Sequence, residues 1–127
     1  MSTLIISKTK VSVDVIRDGL LKVSFDTGTP AGTTARAEIS SDKGFIQLKL
    51  LKISTDPEVS AKIYVVLDGV EKLLLSLDEK YETEIDVEQV FGEILTRRII
   101  LEGATKYITT SLRNVTLRFN AVVYDFR

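Results

Sequence analysis

Few residues in this chain have types suited to chemistry, and they fall into four groups. Asp26-Thr27-Gly28 follows the apolar Phe25, and a carboxylate on such a turn can activate water when a second carboxylate faces it. Glu82, Glu84, Asp86 and Glu88 alternate along one stretch and offer the oxygen ligands that calcium takes. Tyr64, Tyr107 and Tyr124 carry ring faces that can stack on a sugar. Arg97-Arg98, with Arg113 and Arg118, supply guanidinium groups that can touch phosphate. Each group also has a plainer reading. Asp, Thr and Gly are turn residues. The four carboxylates splay along about 20 Å of strand, and the Asp-rich loop with a central glycine that calcium hands use is missing. With no Trp, and four Tyr and five Phe spread through apolar stretches, the rings favour core packing. The arginines read as a solvated face.

The absences narrow the chemistry further. The 127 residues contain neither Cys nor His. Disulfides, thiolate nucleophiles, serine-histidine and cysteine-histidine catalysis, almost all catalytic zinc and copper sites and the near-neutral proton shuttle are therefore excluded. Carboxylates, lysines, tyrosines and hydroxyls remain, and the expectation is a protein that is not an enzyme and holds no cofactor or metal. Seventeen Lys and Arg stand against eighteen Asp and Glu, a formal charge of −1, which argues against nucleic acid as a partner. The charge is split along the chain. Asp56 to Glu93 holds eleven acidic and three basic residues, whereas Arg97 to Arg127 holds six basic and two acidic ones. No apolar run has the length of a membrane span, and Met1 to Ile6 is too short for a secretory signal, so cytoplasmic synthesis is expected. The sequon Asn114-Val115-Thr116 then reads as a strand accident. Abundant Lys, Glu and Ile with no Cys, His or Trp lean toward a thermostable protein.

The elements that must position these groups are strands. Ala61 to Leu77, AKIYVVLDGVEKLLLSL, sets two apolar runs around Asp68-Gly69, a strong hairpin signal. A two-residue loop would pair Leu67 with Val70, but a one-residue offset pairs Val65 with Leu73, Ile63 with Leu75 and Ala61 with Leu77 on one apolar face, which predicts a bulge beside the turn. Thr3 to Ile6, Val11 to Ile16 and Leu20 to Phe25 are short strands, with Asp18-Gly19 a second turn signal. Asp26 to Ala35, DTGTPAGTTA, reads as a long loop or hinge. Phe45 to Ile53 begins with Ile46, Leu48 and Leu50 on one face and then changes register to Leu51 and Ile53. Asp86 to Leu95 is the one helical candidate, capped by Asp86 with Gln89 three residues on, and with Val87, Val90, Phe91 and Ile94 spaced for one buried face. Arg97 to Leu101 and Tyr107 to Leu112 are strands around a Glu102-Gly103 turn. Val115, Leu117, Phe119, Ala121 and Val123 give the longest clean alternation. The fold class is all-β, an antiparallel β-sandwich of jelly-roll type with one short helix near 87–95. An N-terminal β arm or hairpin (1–25), a Gly/Thr-rich loop with a short strand (26–43) and a sandwich core (44–127) make up one domain.

Two resemblances follow. Asp26-Thr27-Gly28 resembles the Asp-Thr-Gly signature of aspartic proteases, whose small retroviral type dimerises to pair two aspartates; Ile99-Ile100-Leu101-Glu102-Gly103 resembles the element that supports the catalytic loop there. The chain departs from that family at Ser24, Gly32 and Glu102, and no glycine-rich flap follows the motif. Separately, the arm, the DTGTPAGTTA hinge, GFIQLKLLKISTDP, the Asp68-Gly69 hairpin and the closing VTLRFNAVVYDF are together similar to small jelly-roll virion structural proteins of tailed phages and archaeal viruses, of the capsid-decoration or fibre-base type. That likeness implies a non-enzymatic assembly protein, commonly a trimer, incorporated into a virion and bound to its other structural proteins. Self-association is then expected through Leu4, Ile6, Val11, Val13, Thr29 and Pro30, with Glu82 and Glu84 meeting Arg97 and Arg98 of a neighbouring copy. The alternatives are a carbohydrate- or ligand-binding sandwich module using Tyr64 or Tyr107, and a dimeric protease using Asp26.

Overall fold

The computed structural model describes residues 4–7, 12–16, 19–41 and 44–125, with side chains described for 19–40 and 45–120. Among the described residues, eleven strands form two antiparallel sheets packed face to face, the all-β jelly-roll sandwich expected. One sheet runs in the order β1 (Leu4–Ser7), β4 (Thr34–Ser41), β10 (Arg98–Thr105), β6 (Val59–Leu67), β7 (Val70–Leu77). The other runs β2 (Ser12–Ile16), β3 (Leu20–Phe25), β11 (Arg113–Asp125), β5 (Gly44–Thr55), β8 (Glu82–Asp86), with the two-residue β9 (Leu95–Thr96) also paired to β5. β1 pairs with β4 and β2 with β3, so each N-terminal strand edges a different sheet of its own chain.

Strand alternation builds the core. Leu21, Val23 and Phe25 of β3, Ile46, Leu48, Leu51 and Ile53 of β5, Ile63 and Val65 of β6, Ile99 and Leu101 of β10, and Val115 and Leu117 of β11 are all buried between the sheets. Residues before position 44 therefore contribute to the same core as those after it. The register change in β5 is a bulge: Asn120 faces Leu50 while Ala121 faces Leu48, so Lys49 is the extra residue. The bulge turns Leu50 to the outer face, where with Lys52, Arg118 and Asn120 it lines a shallow groove, rather than leaving it with Ile46 and Leu48.

The hairpin meets two demands at once. Asp68 and Gly69 have φ of 53° and 76°, the two positive values of a type I′ turn, so Leu67 pairs with Val70 and Val65 with Lys72. Farther down, Ile63 pairs with Leu75 and Ala61 with Leu77, as the apolar pattern requires. The offset is absorbed at Leu74, not beside the turn, because the turn geometry dictates the first pairs and the core dictates the last. The first half of β7 consequently leaves the core, with Leu73 53 % exposed.

Two further expectations are corrected. Glu102-Gly103 is no turn: β10 runs straight through it, and a Cβ on Gly103 would sit 3.1 Å from the Phe25 ring. The glycine is there for close sheet packing, and the stretch 106–112 is loop. The helix α1 spans only Val87–Phe91, with Asp86 Oδ1 accepting from the Gln89 amide at 3.2 Å and Gly92 ending it at φ 78°. Val87 and Ile94 are buried as expected, but Val90 is exposed because the chain leaves the helix to form β9.

Candidate functional site

The antiparallel topology gathers four connections at one end of the sandwich: 26–33 after β3, 56–58 after β5, 78–81 after β7 and 106–112 after β10. Buried threonines stitch them together. The Thr109 hydroxyl donates to the Asp26 carbonyl at 2.5 Å and accepts the Thr29 amide at 2.9 Å. Thr105 donates to the Pro30 carbonyl at 2.6 Å and accepts the Thr33 amide at 2.9 Å. Thr55 donates to the Asp78 carbonyl at 2.7 Å and accepts the Tyr81 amide at 2.9 Å. Backbone bonds run alongside, from the Gly28 amide to Thr109 at 2.8 Å and from the Gly32 amide to Thr105 at 2.8 Å. The DTGTPAGTTA stretch is thus an ordered loop bound to its neighbour, not a hinge.

Glu58 is the hub of the same end. Its φ is 72°, and its Oε1 accepts from the Thr110 amide at 3.1 Å, the Thr110 hydroxyl at 2.9 Å and Arg113 Nε at 2.7 Å. The Thr110 amide first, and then Arg113, hold this carboxyl below the usual range. Lys106 pairs with Asp78 at 2.5 Å, lowering the Asp78 carboxyl and raising the Lys106 ammonium. These two pairs join the acidic and basic halves of the chain within one molecule. On this lattice stand exposed apolar groups. Tyr107 is 55 % exposed and Ile108 61 %, with Leu112 and Tyr81 also exposed at the same end.

The expected site residues do not converge. Asp26 lies exposed in a turn, and its backbone carbonyl does the bonding. Thr29 and Pro30 serve the stitching. Leu4 and Ile6 lie on β1 and Val13 on β2, their side chains outside the described residues, as are Val11 and the Tyr124 side chain. Glu82 and Glu84 are exposed on β8 opposite Ser54 and Lys52. Among the described residues no three carboxylates converge as a cation site. Tyr64 is covered by Arg36, whose guanidinium lies 5.3 Å from the ring centre and bridges Glu102 at 2.9 Å and Glu71 at 3.0 Å. Those two carboxylates, Glu71 foremost, push the Arg36 guanidinium up. Under this lattice Ile100 is fully buried although its alternation points it outward. Arg98 pairs with Glu38 at 2.7 Å at the opposite end of the sandwich, beside Arg97. Sequence reasoning missed the threonine stitching; for Thr105 and Thr109 its trace is several Thr in two segments some 80 residues apart, and Thr55 leaves none.

No protein-family model matches the chain, and no curated protein matches it in sequence. The fold is that of solved carbohydrate-binding modules. The family 32 module of AlyQ, solved with 4,5-unsaturated mannuronic acid, superposes with a TM-score of 0.52 at 10 % identity, covering 91 % of this chain and 94 % of that one. The family 32 module from C. perfringens NanJ, solved with galactose, gives 0.50 at 10 % identity, covering 94 % and 93 %. A structure of infectious bursal disease virus, Gx strain, gives 0.28 at 11 % identity, covering 95 % of this chain and 30 % of that one.

Proposed function

We propose that this protein is a non-catalytic carbohydrate-binding sandwich whose sugar platform is the stitched loop end. The mounting of Tyr107 carries the reading: its ring is exposed, while the backbone around it is held through Thr105, Thr109 and Thr110. A sugar lays the C–H face of its ring on such an aromatic, and a loop whose backbone is already fixed loses little freedom on binding. Ile108 and Leu112 extend the apolar surface, and the Lys106–Asp78 pair supplies a donor and an acceptor for hydroxyls beside it. The two sandwiches of matching fold, one solved with a sugar acid and one with galactose, support this reading over the virion one. A panel of neutral and acidic oligosaccharides, read by thermal shift and calorimetry, tests it. A bound sugar should raise the melting temperature, and Tyr107→Ala should weaken binding about tenfold or more while the unliganded melting temperature stays put. A panel with no binder, or binding indifferent to Tyr107, overturns the proposal.

Self-association is a second reading, favoured by one observation. β7 ends the five-stranded sheet and carries exposed Val70 and Leu73, and an apolar edge strand invites pairing with another copy. Light scattering of the wild type and Leu73→Lys decides it: a discrete oligomer that the substitution dissolves supports the reading, and a monomer at high concentration sinks it. Deleting residues 1–15 is not a clean test, because it removes one edge strand, or most of it, from each sheet.

A further inference from the structure

The end of the sandwich opposite Tyr107 holds a cleft of about 570 Å³, lined by Phe45, Val66, Leu67, Leu95, Asp68-Gly69 and the Arg97-Arg98 pair. That volume falls in the range of small-molecule sites, roughly 300–1,000 Å³. Its walls are mostly apolar, and they come from both sheets: Val66 and Leu67 from β6 of one, Phe45 and Leu95 from β5 and β9 of the other.

One buried hydroxyl holds the walls together. The one Thr96 Oγ1 proton has the Val66 carbonyl at 2.7 Å and the Arg98 carbonyl at 2.9 Å as acceptors to share, and Oγ1 accepts the Val66 amide at 3.1 Å and the Arg98 amide at 3.2 Å. This latch clamps the residues on either side of Arg97 and so determines where its side chain leaves the backbone. The two guanidinium groups then differ. Arg98 is neutralised by Glu38 at 2.7 Å. Arg97 has no carboxylate partner among the described residues; its guanidinium lies 5.2 Å from the centre of the Phe45 ring and is exposed. A guanidinium resting over an aromatic ring still has N–H donors on its solvent side, and a planar carboxylate can take two of them. Asp68, on the turn at the rim, disfavours a multiply charged anion.

We infer that this cleft is a second ligand site, for a small carboxylate with a ring-shaped, mostly apolar body. The carboxylate meets Arg97, and the body lies against Leu95, Val66 and Leu67. The inference does not depend on the sugar platform at the other end, since no residue is shared. Sodium benzoate is the probe, with benzamide as its neutral analogue, titrated into the 15N-labelled full chain and followed by amide shifts. The expected result is saturable shifts at Gly69, Leu95 and Arg97, with benzamide about tenfold weaker or worse. Arg97→Gln should abolish the preference for benzoate, and Arg118→Gln, in the separate outer groove with Leu50 and Lys52, should leave it intact. Equal affinity for benzoate and benzamide, equal loss in both variants, or no saturable shift up to about 50 mM benzoate overturns the site.

Discussion

The two ends of the sandwich solve the same problem differently. At one end four loops meet over the core, and three buried threonines, Thr55, Thr105 and Thr109, bond across them with the Glu58 hub and the Lys106–Asp78 pair. That end is closed and carries its apolar groups outward, Tyr107 foremost. At the other end one threonine, Thr96, joins the sheets, and the space beside it stays open as a cleft. The lesson is that short polar side chains at strand ends, and not only the apolar core, decide whether a sandwich end closes into a platform or stays open as a pocket. A hydroxyl that both donates and accepts can replace two backbone bonds that the loops lack.

This contrast can be tested by removing the hydroxyls while keeping the shape. Thr109→Val should cost about 2 kcal/mol in denaturant unfolding, because it removes two cross-loop hydrogen bonds at once, to the Asp26 carbonyl and from the Thr29 amide, and leaves those groups only their local bonds to each other. Thr96→Val should cost a similar or slightly smaller amount, about 2 kcal/mol, and in addition should broaden the amide signals of Val66 and Arg98. If Thr96→Val were silent, the cleft walls would be held by packing alone.

The hub makes a pH-dependent prediction confined to the closed end. The folded Glu58 carboxyl titrates below its ordinary value of 4.5, so its contribution is fully present above that value and is lost as the pH falls through the lower folded one. Thermal melts from pH 7 to 3 should show the wild type losing stability below about pH 4.5 more steeply than Glu58→Gln, which should already be less stable at pH 7. Equal slopes would remove Glu58 from the account. The smallest effect belongs to the exposed Lys106–Asp78 pair: Asp78→Asn should leave the melting temperature within error at 150 mM salt, since ions screen such pairs. A clear loss there would mean that the pair acts as part of a network.

Glycines and apolar pairs divide what was legible from what was not. The alternation of β11, the Asp68-Gly69 turn, the cap of Asp86 on Gln89, the register change in β5 and the sandwich class all follow from neighbours within a few residues, where period and turn chemistry act directly. The same local logic misread Gly103 as a turn residue, because its reason lies across the core in Phe25, 78 positions away. That error carried Tyr107 into a strand, and with it the only exposed aromatic on the platform loop. The bulge at Leu74, the outward turn of Leu50, the stitching threonines and the separation of Arg97 from Arg98 likewise depend on which strand lies opposite which. Local pattern dictates what each segment becomes; which polar groups meet at the ends of the sandwich is decided only when strands distant in sequence pair and the two sheets pack.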